Sequence, residues 1–368
     1  MPKVPGLATP EGTGKFRERG VVTRHLPPLH FRTDPKGLSV SSIGLGTYIG
    51  RPDGPTDIAV EQAVALCLAS GRVNVIDTAI NYRHQRAERS VGRALARSIV
   101  PGGIPREEVF VATKNGYLAP DGESTLGPEA WIERELVRSN VLRPADIVDG
   151  SHSLSRSFLA DQFERSRTNL GLEAIDLMYL HNAADAQLPV VGREEFLSRL
   201  TEAFRLYESL RDEGKLGAYG LATWECLRAP KSEPGHLSLE DVVRTARKVG
   251  GEGHGFGFVQ FPFNFAMTEA AVLRTQTVDG VRGTAFEAVQ RLGLGVFTSV
   301  PLYQGQLTRE GPTAAPLTTA QTALQFARSA PGTLGALVGQ KTPEHLAENL
   351  HVAEVPPWDD AAFRGWLT

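Results

Sequence analysis

Cysteine is scarce in this chain of 368 residues, which contains only Cys67 and Cys226. Two isolated cysteines exclude a disulfide framework and a CxxC zinc or redox motif. Long apolar runs are also missing, so no segment is predicted to span a bilayer. Residues 1–20 lack the apolar centre of a secretory signal. These absences predict a soluble protein of a reducing compartment, the cytoplasm, with no membrane partner.

An excess of charge of one sign is missing as well. The chain has 39 Lys and Arg residues against 42 Asp and Glu residues, a formal net charge of −3. A basic surface for nucleic acid is therefore not visible, and we expect no nucleic-acid partner. The composition, 41% hydrophobic and 22% charged, is typical of a globular protein and excludes general disorder.

Several motifs with a defined chemistry are absent from the sequence. It contains no GxxxxGK[ST] phosphate loop, no HExxH zinc motif and no GxSxG nucleophile elbow. The nine histidines include no pair four residues apart that could hold a metal on one helix. We therefore expect no metal site, and the metallohydrolase and nucleophile-elbow classes lose support.

Short apolar runs alternate with longer amphipathic segments from residue 39 onward. Eight runs are almost continuously apolar, as strands buried on both faces of a parallel sheet require. These predicted strands are Val40–Thr47, Asn74–Ala79, Glu108–Lys114, Ile175–His181, Gly217–Thr223, Gly257–Phe261, Gly293–Leu302 and Gly335–Gly339. The predicted helices are Asp57–Ser70, Glu88–Ile99, Ser157–Leu170, Glu194–Glu213, Leu239–Val249, Thr284–Leu292, Thr318–Ala330 and Pro343–Leu350. Eight β–α units predict an α/β fold, the (β/α)8 TIM barrel, with an open doubly wound sheet as the alternative.

Some segments lie outside this repeat. Residues 1–28, rich in Pro and Gly, are predicted to be a partly ordered N-terminal extension of a single barrel domain, residues 29–368. Residues 117–156 are predicted to be a long insertion after the third strand, with a short helical pattern around Pro128–Asn140. Residues 228–237 and 250–256 are predicted to be flexible loops.

A glycine cluster after the first predicted strand is loosely similar to a dinucleotide-binding fingerprint. Gly44 and Gly46 have the right spacing, but Gly50 is one position too far along the chain. The segment Pro52–Pro55 also follows where a helix would have to begin directly. We interpret the cluster as a tight loop at a strand end, and the glycine spacing argues against a Rossmann dehydrogenase.

Ionisable side chains stand at the ends of successive predicted strands. Asp77 ends the second strand, Tyr82 follows five residues later, Lys114 ends the third strand and His181 ends the fourth. Taken singly, each has an ordinary interpretation: a turn cap, a surface tyrosine, a solvated lysine and a hydrogen-bonded core histidine. In a barrel, however, the ends of neighbouring strands converge on one pocket. Burying Lys and Asp there is costly unless they are paired, so their joint occurrence favours a functional site.

The chemistry of these four groups indicates roles for them. A tyrosine hydroxyl has an ordinary pKa near 10, and a neighbouring ammonium lowers that pKa by stabilising the phenolate. A carboxylate beside the ammonium keeps it charged and oriented. A histidine at the same point can hydrogen-bond a substrate carbonyl oxygen. An acid and a carbonyl anchor, without a nucleophile or a metal, suggest carbonyl reduction by a hydride. That hydride must come from a cofactor.

Nine sequence motifs carry a resemblance to a known family. They are GLGTY (44–48), VIDTAINY (75–82), ERSVGRAL (88–95), VFVATKNG (109–116), IDLMYLHN (175–182), GKLGAYGLATW (214–224), VQFPFN (259–264), VPLYQGQL (300–307) and TPEHLAENL (342–350). In this order, over roughly residues 29–350, the chain closely resembles the aldo-keto reductase superfamily. The resemblance implies a (β/α)8 barrel that binds NADPH without a Rossmann domain, NAD being possible. It also implies a catalytic tetrad of Asp77, Tyr82, Lys114 and His181, with Tyr82 as general acid or base.

The resemblance implies cofactor contacts along the same strand ends. Gln260 matches the position that binds the nicotinamide carboxamide, and Lys341 a position where a cation meets the 2′-phosphate. Thr223 retains a polar side chain where the family has a Ser-Asn pair, and Ser299 aligns with a ring-stacking aromatic residue. The remaining implied contacts are Gly46, Thr47, Asp77, Leu302, Gln304, Gly339, His345, Glu348 and Asn349. The alternative for Lys341 is a solvated loop lysine.

Five residues are expected to border the substrate pocket: Tyr48, Tyr82, Tyr117, His181 and Trp224. The resemblance implies reversible reduction of an aldehyde or ketone, with a small carbonyl compound or sugar as substrate. The alternative function is a cofactor-binding regulatory or interaction protein on the same barrel. The sequence does not specify the substrate or the oligomeric state.

Overall fold

Eight parallel strands close into a barrel in the computed structural model, which describes residues 3–367. In chain order the strands are β1 (Phe31–Thr33), β2 (Ser39–Ser41), β3 (Ile43–Gly46), β4 (Val75–Asp77), β5 (Phe110–Asn115), β6 (Ile175–His181), β7 (Leu216–Ala222), β8 (Phe256–Pro262), β9 (Gln276–Val278), β10 (Val281–Gly283), β11 (Gly295–Ser299) and β12 (Thr333–Gly339). The barrel order is β3-β4-β5-β6-β7-β8-β11-β12, with β12 pairing back to β3. Because the sheet closes, the predicted (β/α)8 barrel is confirmed and the doubly wound sheet is excluded.

Helices surround the barrel; α1 precedes its first strand, and the others come after β3. They are α1 (Pro10–Arg24), α2 (Gly54–Ala69), α3 (Arg86–Ser98), α4 (Pro128–Ile132), α5 (Arg156–Leu170), α6 (Ala183–Val191), α7 (Arg193–Asp212), α8 (Leu239–Gly250), α9 (Glu269–Val272), α10 (Ala285–Arg291), α11 (Thr319–Arg328), α12 (Pro343–His351) and α13 (Asp360–Gly365). The eight helices predicted from periodicity all occur, with ends within three residues of the prediction. Side-chain caps set several starts, including the capping boxes of Thr284 with Glu287 and Thr318 with Gln321.

The interior of the barrel is filled by large side chains at alternate strand positions. Phe110, Phe258 and Phe297 come from β5, β8 and β11, and the ring of Phe297 lies 6.1 Å from Phe110 and 6.3 Å from Phe258. Alternation along each strand sends the intervening residues outward, where they pack against the helices. The closed, filled barrel is therefore a rigid support for groups at its strand ends.

The N-terminal segment differs from its prediction as a partly ordered extension. Residues 10–24 form α1, which Thr9 caps by accepting a hydrogen bond from the Gly12 amide. Phe16 packs edge-on against Phe31, with ring centres 6.0 Å apart. The Ala8 amide donates to Asp176 Oδ1 at 2.6 Å. Asp176, on β6, lies 168 residues from Ala8 in the sequence, so no local pattern reports this anchor. Residues 1, 2 and 368 lie outside the described residues.

The insertion after the third barrel strand packs as a small layer of its own. It contains α4 and a short π-helical turn, Glu133–Val137, within the predicted helical stretch. Trp131, Leu136 and Leu142 pack with Phe158 of α5.

Of the two predicted loops, residues 228–237 contain neither helix nor strand, whereas 250–256 include a 3-10 turn, Gly251–Gly253, and the first residue of β8. Among residues 3–367, no helix combines the length and apolar character needed to cross a membrane.

Candidate active site

The four ionisable residues singled out in the sequence lie together at the carboxyl end of the barrel. Asp77 ends β4, Lys114 is the penultimate residue of β5, and His181 ends β6. These three strands are consecutive in the barrel. Tyr82 follows β4 in the connection to α3. Asp77, Tyr82 and His181 line a cavity of about 910 Å³, and Lys114 is fully buried behind them. The barrel geometry thus brings them to one place, as the sequence predicted.

The buried ammonium of Lys114 is paired with a carboxylate of opposite charge, Asp77. Its Nζ lies 2.6 Å from Asp77 Oδ2, donates to the Thr78 carbonyl at 2.8 Å and lies 4.8 Å from the centre of the Tyr82 ring. The other Asp77 oxygen accepts from Gln260 Nε2 at 2.9 Å. Both carboxylate oxygens therefore have donors, so the ion pair is hydrogen-bonded as a buried charge pair needs to be.

Burial and neighbouring charges act in opposite directions on the pKa values of Lys114 and Tyr82. Burial lowers the pKa of Lys114, but the charge of Asp77 and contacts with Tyr82 outweigh burial, so the pKa is raised above its ordinary value. Burial raises the pKa of Tyr82, and the Lys114 ammonium opposes that rise only in part. The pKa of Tyr82 is thus raised, whereas the sequence predicted that Lys114 would lower it. The phenol keeps its proton at neutral pH.

His181 faces the same cavity as a neutral imidazole. Burial, with the nearby Lys114 charge, lowers its pKa well below the ordinary value. Its Nδ1 lies 3.1 Å from Asn81 Oδ1, and its ring centre lies 5.6 Å from Tyr82 and 5.2 Å from Tyr117. Asn81 was missed in the sequence, although it directly precedes Tyr82. A neutral imidazole has one N–H, which it can donate to an oxygen in the cavity.

The predicted cofactor residues line the same cavity. These are Gly46, Thr47, Asp77, Thr223, Gln260, Ser299, Leu302, Gln304, Gly339, Lys341, His345, Glu348 and Asn349. Lys341, His345 and Glu348 place charge-bearing groups in the loop after β12 and in α12. The α12 helix begins where the Thr342 hydroxyl accepts from the His345 amide. A helix N-terminus beside a lysine favours an anion at that part of the cavity.

The predicted substrate residues form the other part of the cavity. Tyr48, Tyr82, Tyr117, His181 and Trp224 all line it. Tyr48 is 57% exposed and Trp224 is 38% exposed, which places both at the mouth. Ile49, also 45% exposed, was missed, although its position next to Tyr48 could have indicated it. The mouth is therefore largely aromatic and uncharged.

Neither aromatic residue close to Ser299 in the sequence, Phe297 or Tyr303, reaches the cavity to take over ring stacking at this position. Phe297 is buried in the barrel interior, stacked near Phe110, and Tyr303 does not belong to the lining of this cavity. Within residues 3–367, no three His, Cys, Asp or Glu side chains are grouped so that they could hold a metal ion.

Comparison with known proteins gives a family and a fold. Residues 42–234 match the model of the Aldo/keto reductase family. A NADH-specific methylglyoxal reductase of Escherichia coli is 26% identical over 189 residues, 50% of this chain and 49% of that protein. An aldo-keto reductase of Mycolicibacterium smegmatis is 26% identical over 189 residues, 51% of this chain and 48% of that protein. The matches thus span about half the length of these curated relatives.

Solved structures match over most of the chain. An aldo-keto reductase of Bacillus halodurans in its holo form aligns with a TM-score of 0.62 at 17% identity, covering 92% of this chain and 94% of that one. An aldo-keto reductase of Klebsiella pneumoniae in complex with NADP and acetate aligns with a TM-score of 0.59 at 19% identity, covering 92% and 94%. At such identities the likeness shows the fold.

Proposed function

Because the chain belongs to the aldo/keto reductase family, we propose that it is an NADPH-dependent oxidoreductase that reduces an aldehyde or ketone to an alcohol. The observation that carries this proposal is the buried ion pair of Lys114 Nζ with Asp77 Oδ2, which are 2.6 Å apart. The same ammonium lies 4.8 Å from the centre of the Tyr82 ring. A structural ion pair alone has no need of a phenol facing an open cavity. Perturbed ionisable groups in a cleft are typical of catalytic sites.

The donor groups of the cavity fit a nicotinamide dinucleotide. Gln260 offers an amide and Thr223 a hydroxyl near the tetrad, both buried. At the distant end, Lys341 and the N-terminus of α12 suit a phosphate group. When bound, the cofactor supplies the hydride that no side chain can donate. We therefore assign the nicotinamide end to Gln260, Thr223 and Ser299.

Tyr82 is the proposed general acid. Its hydroxyl keeps its proton at neutral pH, because burial raises the pKa of the phenol. As negative charge develops on a carbonyl oxygen, the phenol donates that proton, and the Lys114 ammonium stabilises the phenolate left behind. Asp77 holds the ammonium in place. In the reverse direction the phenolate accepts the proton.

His181 is proposed to orient the carbonyl group. An amide N–H of Asn81 donated to Nδ1 would leave the single imidazole proton on Nε2, free for the carbonyl oxygen. Asn81 Oδ1 faces His181 Nδ1 and would accept its proton, so we propose that the amide is flipped, with Asn81 Nδ2 donating to Nδ1. His152 supports the arrangement by donating from Nε2 to the His181 carbonyl at 2.9 Å. Asn81 is thus a positioning residue for His181.

The preference for NADPH over NADH is proposed from Lys341. The cavity places this lysine beside Gly339 and the first turn of α12. A 2′-phosphate would give the ammonium a charge-assisted contact that NADH lacks. NADH remains the alternative cofactor, and the Escherichia coli relative is NADH-specific by name.

Turnover separates this proposal from the alternative of a cofactor-binding regulatory protein. The purified chain is mixed with NADPH and a panel of aldehydes, ketones and keto sugars, and NADPH oxidation is followed by absorbance. We expect oxidation that depends on both the carbonyl compound and Tyr82. Tight NADPH binding without oxidation by any member of the panel would contradict the reductase and favour the regulatory protein.

A further inference from the structure

A left-handed backbone turn directly follows Tyr82. Arg83, His84 and Gln85 have φ values of +50°, +56° and +69°. None of them is glycine, and residues with a Cβ atom are disfavoured in this region, especially in succession. Such conformations persist only where neighbouring groups hold them, and they cluster at functional sites. The strained turn therefore needs an anchor.

The anchor is a buried carboxylate in the first turn of α2. Asp57 Oδ1 accepts from Arg83 Nη1 at 2.5 Å, and Asp57 Oδ2 lies 2.6 Å from Arg86 Nη2. The side chains of Arg83 and Asp57 are 2% and 8% exposed, so solvent screens the pair little. Arg83 begins the turn and Arg86 is the first residue of α3 after it. One carboxylate thus holds both sides of the turn.

The last residue of the turn is held separately. Gln85 Nε2 donates to the Ala119 carbonyl at 2.8 Å, and the Gln85 amide donates to the Ile80 carbonyl at 2.9 Å. The Ala87 amide donates to the Tyr82 carbonyl at 3.3 Å. The backbone of Tyr82 is therefore continuous with the turn and hydrogen-bonded to its far end.

We propose that Asp57 and Arg83 are positioning residues for Tyr82: their buried ion pair holds the left-handed turn that sets the direction of the phenol hydroxyl. This inference rests on the proposed function of Tyr82 as general acid. Neither side chain lines the tetrad cavity; Arg83 borders a smaller neighbouring pocket together with Tyr48 and Gln304. Small displacements of a catalytic group cost large factors in rate, so loss of the anchor should lower kcat.

The chain contains a matched control on the same helix. Glu61, one turn after Asp57 in α2, is also a buried carboxylate that pairs with two arginines of α3. Glu61 Oε2 lies 2.7 Å from Arg93 Nε, and its other oxygen pairs with Arg97. Neither Glu61 oxygen contacts the turn after Tyr82, although Arg93 Nη2 and Arg83 Nη2 both donate to the Ser90 hydroxyl at 3.3 Å. Glu61→Gln therefore removes a similar ion-pair cluster without removing the proposed anchor.

The first experiment compares Asp57→Asn with Glu61→Gln. We expect Asp57→Asn to lower kcat for carbonyl reduction by about tenfold to a hundredfold, with the NADPH Kd within about twofold of the unmodified protein. Glu61→Gln should leave kcat within about twofold. Equal kcat losses in the two variants would overturn the proposal, because the effect would then be general loosening of the α2–α3 contact. A loss confined to cofactor affinity would overturn it as well.

The second experiment separates the strain from the charge. Arg83→Ala and Arg83→Gly both remove the guanidinium, but only alanine is disfavoured at a φ of +50°. We expect Arg83→Gly to keep kcat within about threefold and Arg83→Ala to lose about tenfold or more. Equal kcat values for the two variants, whether high or low, would overturn the role of the turn.

A measurement without turnover distinguishes this inference from the proposed function. The urea midpoint of unfolding should be higher for Arg83→Gly than for Arg83→Ala, since glycine relieves the strain. A reversed or equal order of midpoints would refute the strained anchor even if the protein reduces carbonyl compounds. The expected order without any carbonyl reduction would leave the strained anchor standing and refute Tyr82 as the acid, and with it the positioning role.

Discussion

The Lys114 ammonium lies 2.6 Å from the Asp77 carboxylate, and both groups are almost fully buried at the ends of neighbouring strands. The charge of Asp77 keeps the pKa of Lys114 above its ordinary value in spite of burial. The ammonium is therefore charged across the neutral range, next to a phenol that is protonated there. This pairing gives the site a fixed protonation state and leads to a pH prediction.

We expect kcat for reduction to be nearly independent of pH from about 6 to about 9. His181 is neutral because its pKa lies well below the ordinary value, and Tyr82 stays protonated because its pKa is raised. In Asp77→Asn, burial is no longer opposed by the carboxylate charge, so the Lys114 pKa should drop and kcat should become pH-dependent. Steady-state rates at saturating NADPH and substrate give both profiles. An inflection of the unmodified protein near pH 6.5, or a flat profile with full kcat in Asp77→Asn, would contradict this account.

Stability should fall in mild acid because of buried neutral histidines. Burial lowers the pKa of His152 to about 4, against an ordinary value of 6.5. Its contribution is complete above pH 6.5 and is lost as the pH falls towards 4, since the unfolded chain takes up the proton first. At about 1.36 kcal/mol for each pKa unit, the loss is about 3 kcal/mol.

Urea unfolding of the unmodified protein and His152→Gln at several pH values tests that assignment. The variant should lose less stability between pH 6.5 and pH 4 than the unmodified protein does. Parallel pH dependences would show that His152 is not the responsible group.

Lys341→Ala should weaken NADPH selectively. A charge-assisted phosphate contact contributes about 1.5–3 kcal/mol, so the NADPH Kd should rise about tenfold or more. NADH lacks the 2′-phosphate, and its Kd should change little. Fluorescence titration with both cofactors measures the two effects. An equal loss for NADPH and NADH would mean that Lys341 does not recognise the 2′-phosphate.

Ser299→Tyr should tighten cofactor binding by several-fold. Ser299 lines the cavity, and Phe297 is committed to the barrel interior with Phe110 and Phe258. A tyrosine ring at position 299 could stack on the nicotinamide, and an aromatic contact contributes about 0.5–1.5 kcal/mol beyond burial. Ser299→Ala is the control, since it removes the hydroxyl without adding a ring. Weaker NADPH binding by Ser299→Tyr would indicate that the space is already filled.

The sequence predicted the barrel well because parallel strands buried on both faces read as continuous apolar runs. It missed α1, whose buried residues are only Gly12, Thr13, Phe16 and Gly20, too few for a helical apolar pattern. It also missed the hairpin of β9 and β10, although Asp279 and Gly280 both have positive φ in the connecting turn. An Asp-Gly pair between short strands is a known hairpin signal.

At the site, sequence motifs predicted the lining residues but not the interactions between distant segments. The predicted cofactor residues and three of the tetrad residues line one cavity, with Lys114 buried behind them, and their roles stay predictions. The raised pKa of Tyr82 depends on burial, which no motif reports. The contact of Asp57 with Arg83 joins α2 to the turn after β4 and is visible only in three dimensions.

The most direct test of the account is the rate of carbonyl reduction by Tyr82→Phe at saturating NADPH. The substitution removes only the hydroxyl, so the NADPH Kd should stay within about twofold. Proton transfer by a positioned acid contributes about 10²–10⁴ in rate, and we predict that kcat falls by at least about a hundredfold. Retention of full kcat by Tyr82→Phe would contradict Tyr82 as the general acid.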